Sequence, residues 1–161
     1  MTRRRELLGV AVLGGVGAFA LWPRHQAARA ATTFPISRTD AQWRSLLSPS
    51  AYYILREQGT EAPYSSPLDH ETRQGLYHCA GCALAVYSSA TKYDSHTGWP
   101  SFWRPLPRAV AEARDASLGF VRTEIHCAQC GGHLGHVFPD GPPPTGLRYC
   151  MNGAGLSFTP T

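Results

Sequence analysis

The chain reads as a mainly β domain with short helices at its N-terminal end, and three observations predict this. From residue 63 onward, short runs of aromatic and β-branched residues are separated by Gly, Pro, Asp and Asn, the composition of strands and turns. Over residues 39–59 the apolar positions instead recur at helical spacing. Four of the five cysteines form two Cys-x-x-Cys pairs, a device that staples small domains. With 161 residues, one ordinary domain is expected.

The first thirty residues stand apart in composition. Thr2-Arg3-Arg4-Arg5-Glu6-Leu7-Leu8 puts adjacent arginines before an apolar run over residues 7–22, the charged and hydrophobic regions of an export signal. Ala28-Arg29-Ala30 then offers the small-x-small pattern that signal peptidase cleaves. The expected division is a signal over 1–30 and a mature domain over 31–161. The arginine pair suggests the twin-arginine route, although Leu7 or Leu8 stands where an aromatic is usual. An uncleaved anchor is the alternative, since the run with its flanks approaches the roughly 17 residues that span a bilayer. Either way the domain is expected outside the cytoplasm, in the periplasm, with no stable membrane association once the signal is removed.

This segment also explains the basic balance. Five of the 15 Lys+Arg (Arg3, Arg4, Arg5, Arg24, Arg29) and one of the 11 Asp+Glu (Glu6) lie within it, so the nominal +4 falls to about zero in the mature domain. A neutral domain lacks the electrostatic footprint of a nucleic-acid binder. It is expected to act as a monomer without nucleic acid.

Taken in order, Trp43, Leu46 and Leu47 form one helical face, and a break at Ser48-Pro49 precedes Tyr52, Tyr53, Ile54 and Leu55. Thr39 and Ser48 are the expected N-caps, the second with Pro49 at the first helical position. Strands are expected over 76–79, 84–88, 109–115, 120–127, 135–138, 148–151 and 156–159. Gly141-Pro142-Pro143-Pro144 reads as a surface turn.

The cysteines sort by spacing into Cys79-Ala80-Gly81-Cys82, Cys127-Ala128-Gln129-Cys130 and a solitary Cys150. Two such knuckles place four thiolates tetrahedrally about Zn²⁺ at about 2.3 Å, and their long separation means the metal would tie two distant hairpins together. Export into an oxidising compartment keeps disulfides open as the alternative. Bonding within a Cys-x-x-Cys, however, gives the tight loop of a redox-active pair.

Cys150 has no partner. A lone cysteine is usually an inert buried hydrophobe, but strand alternation in Arg148-Tyr149-Cys150-Met151-Asn152 puts Arg148 and Asn152 on its own face. A nearby cation lowers a thiol pKa, and an amide adds a hydrogen-bonding group. His133-Leu134-Gly135-His136, followed by Val137-Phe138-Pro139-Asp140, supplies imidazoles that serve either as acid and base or as structural groups.

With these motifs in view, the chain resembles the B-type methionine sulfoxide reductases, which reduce the R epimer of methionine sulfoxide. The likeness runs over about 37–158, through Arg56-Glu57-Gln58-Gly59-Thr60-Glu61, both knuckles, Gly98-Trp99-Pro100-Ser101-Phe102, the segment 132–142 and Arg148-Tyr149-Cys150-Met151-Asn152. It implies two antiparallel sheets, sandwich- or barrel-like, stapled by a structural zinc on Cys79, Cys82, Cys127 and Cys130. Cys150 would be the nucleophile, leaving methionine and a cysteine sulfenic acid. By the same likeness His133 and His136 supply the acid, Arg148 and Asn152 support the thiolate, and Asp140 orients the histidines or the nearby loop. Trp99 would receive the S-methyl group on its indole face, with Phe138 lining the same pocket, whereas Phe102 reads as core.

One departure matters. Many members carry a resolving cysteine where this chain has Thr97, so the sulfenic acid is expected to be reduced by an external thiol, small or thioredoxin-like. His96 receives no role. Two other classes compete: a zinc-stabilised β module that binds a ligand without turnover, and a thiol peroxidase using Cys150.

Overall fold

The computed structural model describes residues 33–161. The expected export signal over 1–30 lies outside the described residues. Two short helices come first, α1 (Asp40–Leu46) and α2 (Pro49–Glu57). Thr39 and Gln42 cap α1 reciprocally, each side chain bonded to the other's backbone. The Ser48 hydroxyl accepts from the Ala51 N–H at the start of α2, at 3.2 Å. The left-handed residue that ends α2 is Gln58 (φ 55°), one position before Gly59.

Among the described residues nine strands follow: β1 (Gly75–Cys79), β2 (Ala85–Ser88), β3 (Lys92–Tyr93), β4 (Ser101–Phe102), β5 (Val110–Asp115), β6 (Arg122–Cys127), β7 (His133–Phe138), β8 (Arg148–Met151) and β9 (Leu156–Pro160). They build two antiparallel sheets, one ordered β2-β1-β9 and the other β3-β4-β8-β7-β6-β5. All seven expected strands are present. The two additions, β3 and β4, are two residues long, too short to show a period, and exist because β4 pairs with β8 at Ser101↔Cys150 and Phe102↔Tyr149. The expected strand over 120–127 starts later, at Arg122, because Phe120 and Val121 sit exposed in the β5–β6 connection.

The core lies where the sheets and helices meet. Tyr87 of β2 stacks on Phe102 of β4 at 4.3 Å, and Tyr77 of β1 meets the same ring edge-on at 4.9 Å. Phe102 is fully buried, the core aromatic its sequence context suggests. Trp43, Tyr52, Ile54 and Leu55 bring the apolar faces of α1 and α2 onto this core. Among the described residues, no helix is long and apolar enough to cross a membrane.

Candidate active site and four-thiol cluster

Strand β8 alternates as its sequence predicts. Tyr149 and Met151 are buried in the core, while Arg148, Cys150 and the following Asn152 line a cleft of ≈ 290 Å³ on the other face. The neighbouring strands set what faces the thiol: Ser101 of β4 is opposite Cys150 on one side and His136 of β7 on the other. Trp99, Thr97, Thr60, Phe138, Arg122 and Gly135 complete the walls. Phe138 lies across from Arg148, whose guanidinium sits over its ring at 4.5 Å.

His133 and His136 are three residues apart, so a regular strand would turn them to opposite faces. Strand β7 avoids this with a bulge. Ile125 pairs with Gly135 and His126 with His133, which leaves Leu134 as an extra residue. The two imidazoles come within 5.4 Å, edge to face. The bulge is held by Asn152, whose backbone N–H and side-chain amide both donate to the Leu134 carbonyl, at 2.8 and 3.2 Å. Gly135 is required here, because a Cβ would run into the Cys150 carbonyl and Met151.

Only His136 of the pair lines the cleft; His133 is buried behind it. Each imidazole donates to a carboxylate that sequence reasoning missed: His133 Nδ1 to Glu124 at 2.8 Å, and His136 Nε2 to Asp115 at 2.8 Å. The other nitrogen of His133, Nε2, is buried without a partner. Asp140 stands elsewhere and takes the Arg148 guanidinium in a two-toothed pair at 2.9 and 2.8 Å. The signal for Glu124 was present in the sequence, since Arg122 and Glu124 are charged residues on one face of an expected strand. Asp115 becomes visible only once the β5–β6 hairpin closes and Arg122 bonds it at 2.6 Å.

The electrostatics follow from burial. The Ser117 N–H, then the Ser117 side chain and His136, hold Asp115 far below the ordinary carboxylate range. Burial pushes His136 down despite Asp115, so the ring is neutral at neutral pH. The expectation that Arg148 lowers the Cys150 thiol is outweighed: burial raises it, and the hydrogen bond from Thr97 (Oγ1 to Sγ 3.9 Å) and the Arg148 charge offset that only in part. The guanidinium that supplies this charge is at the same time paired with Asp140.

The other four cysteines meet at the junction of the sheets. Cys79 ends β1 and Cys127 ends β6, and each is followed by the same tight turn, with N–H groups of Ala83 and Gly131 bonding back to their carbonyls. Their four Sγ atoms lie within 4.8 Å of one another, with Cys79 to Cys130 at 3.6 Å and Cys82 to Cys127 at 3.5 Å. A tetrahedron of thiolates 2.3 Å from a zinc ion has sulfur separations of about 3.8 Å. The donor set and its spacing therefore fit a metal ion.

Fold and cleft together define a β domain built to present one thiol, with a separate four-thiol cluster that joins its sheets. The SelR domain model matches residues 47–160. Among relatives, a peptide methionine sulfoxide reductase MsrB from Agrobacterium fabrum is 55% identical over 130 residues, covering 80% of this chain and 96% of its own. An MsrB from Thiobacillus denitrificans is 56% identical over 124 residues, 76% of this chain and 94% of its own. One from Pseudomonas putida is 52% identical over 126 residues, 78% and 95% respectively. The chain belongs to the SelR-domain family, that of the MsrB peptide methionine sulfoxide reductases.

Proposed function

We propose that this chain reduces the R epimer of methionine sulfoxide in exported proteins, with Cys150 as nucleophile. The observation that carries the reading is a lone half-buried thiol facing a cleft walled by Trp99, His136, Arg148 and Asn152. The resting pair is a protonated thiol beside a neutral imidazole, as burial dictates for both. His136 takes the thiol proton, and the Cys150 sulfur attacks the sulfoxide sulfur while its methyl rests on Trp99. The imidazolium then returns the proton to the oxygen; the S–O bond of the substrate breaks and the hydroxyl passes to the Cys150 sulfur as the newly formed S–S bond breaks with its electron pair staying on the methionine sulfur, leaving a Cys150 sulfenic acid and the methionine thioether. Asp115 steadies the charged ring, and His133 with Glu124 backs it.

No cysteine stands at position 97 to resolve the sulfenic acid. Two equivalents of an external thiol reduce it, leaving a disulfide of the reductant, water and the regenerated Cys150 thiol. Cys79, Cys82, Cys127 and Cys130 would hold Zn²⁺, which would supply a structural cross-link between the sheets. The leader over 1–30, read as a twin-arginine signal, supports a site of action outside the cytoplasm.

The test is turnover of separated R- and S-methionine sulfoxide with excess dithiothreitol, alongside Cys150→Ser. The reading requires turnover of R alone, its loss in the variant, and trapping of one sulfenic acid on Cys150 by dimedone. Turnover of peroxide in preference to sulfoxide, or binding without turnover, overturns it. Export is checked by fractionating cells that express the full chain, with retention in the cytoplasm when Arg3 and Arg4 are replaced by Lys.

A further inference from the structure

The segment Arg56-Glu57-Gln58-Gly59-Thr60-Glu61 enters none of these steps, yet it reaches the second knuckle, the carboxylate behind His133, Asn152 and Trp99. Arg56 donates to the Cys130 carbonyl of the second knuckle at 3.2 Å. Gln58 donates to Glu124, the carboxylate that holds His133, at 3.2 Å. Thr60 lines the cleft. Glu61 makes the densest set of contacts. Its N–H donates to Asn152 Oδ1 at 3.0 Å, and its carbonyl accepts the Trp99 indole N–H at 3.2 Å. Its carboxylate accepts the N–H groups of Gly153 and Ala154, the latter at 2.9 Å.

We infer that Glu61 is a positioning residue for the reaction at Cys150, clamping the substrate wall and the end of the thiol strand in one fixed relation. Asn152 spends Oδ1 on the Glu61 backbone and its NH₂ on Leu134, so Glu61 fixes which way the amide faces and, through it, the β7 bulge that seats both histidines. Trp99 is pinned by its one polar atom, which sets the plane of the ring that faces the cleft. These backbone contacts hold only while the backbone of Glu61 stays in place, and the carboxylate anchors it to the chain immediately after β8. Ser66 and Gly153 pack closely beside this anchor, where a Cβ on Gly153 would strike Ser66 and approach Glu61 Oε1 at 3.4 Å.

The inference rests on the proposed sulfoxide reduction, and the experiment separates the two. Full-chain protein, Glu61→Ala and Glu61→Gln are compared for KM and kcat on R-methionine sulfoxide and for hydrogen exchange at the Trp99 indole N–H, assigned with Trp99→Phe. Gln keeps one acceptor oxygen and Ala keeps none. The expected result is a kcat/KM loss of roughly tenfold or more in Glu61→Ala, a smaller loss in Glu61→Gln, and indole exchange that speeds in the same order. Wild-type KM and kcat in either folded variant, with only a lowered Tm, overturn it, and Glu61→Gln decides if Glu61→Ala fails to fold. Absence of sulfoxide turnover by the wild-type chain falsifies the proposed function instead, while the exchange measurement still reports whether Glu61 holds Trp99.

Discussion

Cys150 lies two residues from a guanidinium and across the sheet from an imidazole, and burial nevertheless raises its thiol above an ordinary cysteine. Loss of solvent around the thiol outweighs the hydrogen bond of Thr97 and the charge of Arg148, a charge that Asp140 shares at 2.8 Å. A raised pKa means that the thiolate fraction, and with it alkylation of Cys150, climbs only as pH rises past the usual range of a free thiol. Asp140→Asn frees the Arg148 charge, so the midpoint of iodoacetamide labelling, followed on the Cys150 peptide by mass spectrometry, is expected to move to lower pH. Arg148→Met moves it higher. An unchanged midpoint in both variants would show that Arg148 does not reach the thiol. A second prediction concerns Thr97, whose hydroxyl is 3.9 Å from the Cys150 sulfur. A cysteine at this position puts a second sulfur on the same side of Cys150, where side-chain rotation can close the gap to the roughly 2.0 Å of an S–S bond. The variant should turn over one equivalent of sulfoxide without added thiol and hold a disulfide between position 97 and Cys150, where the wild type holds a dimedone-reactive sulfenic acid.

At the scale of elements, the decisive feature is the irregularity of β7. The Leu134 bulge brings His133 to the side of His136, and Gly135 lets β7 approach β8 closely enough to pair His136 with Cys150. Gly135→Ala inserts a Cβ against the Cys150 carbonyl and Met151, both on β8. Overpacking of this kind costs about 1–3 kcal/mol, and displacement of β8 from β7 is expected to cut sulfoxide turnover roughly tenfold or more. Denaturant melts and kinetics on the same sample check both, and wild-type kinetics would mean the strand spacing is slack. Of the two helices, caps and limits were legible: Thr39 and Ser48 cap where short polar side chains precede an apolar face. The bulge was not legible, because period 2 carries no mark of the place where one residue is inserted.

For the whole molecule, the cluster of Cys79, Cys82, Cys127 and Cys130 joins the end of β1 in one sheet to the end of β6 in the other, with α2 packed beside it through Leu55. Metal binding there would be coupled to keeping the sheets together. Removal of the ion by a strong chelator is expected to lower Tm by about 10 °C or more, at roughly 4 °C per kcal/mol for a domain of this size, and readdition of Zn²⁺ should restore it. A Tm indifferent to chelation, with disulfides found among the four cysteines, would assign the cluster to redox pairing.

The sequence by itself determined the class of elements, the split of five cysteines into four and one, and the face of β8 that carries Arg148, Cys150 and Asn152. These follow from local rules: strand composition, motif spacing and alternation act over a few residues. Tertiary structure alone decided that Asp115 and Glu124, from strands that do not pair with the thiol strand, would hold the histidines, that Asp140 would pair with Arg148, and that Glu61 would join Trp99 to Asn152. Each of those contacts pairs residues from different strands or loops, and what selects the partner is the sheet register and the burial that together leave a polar atom no solvent to bond.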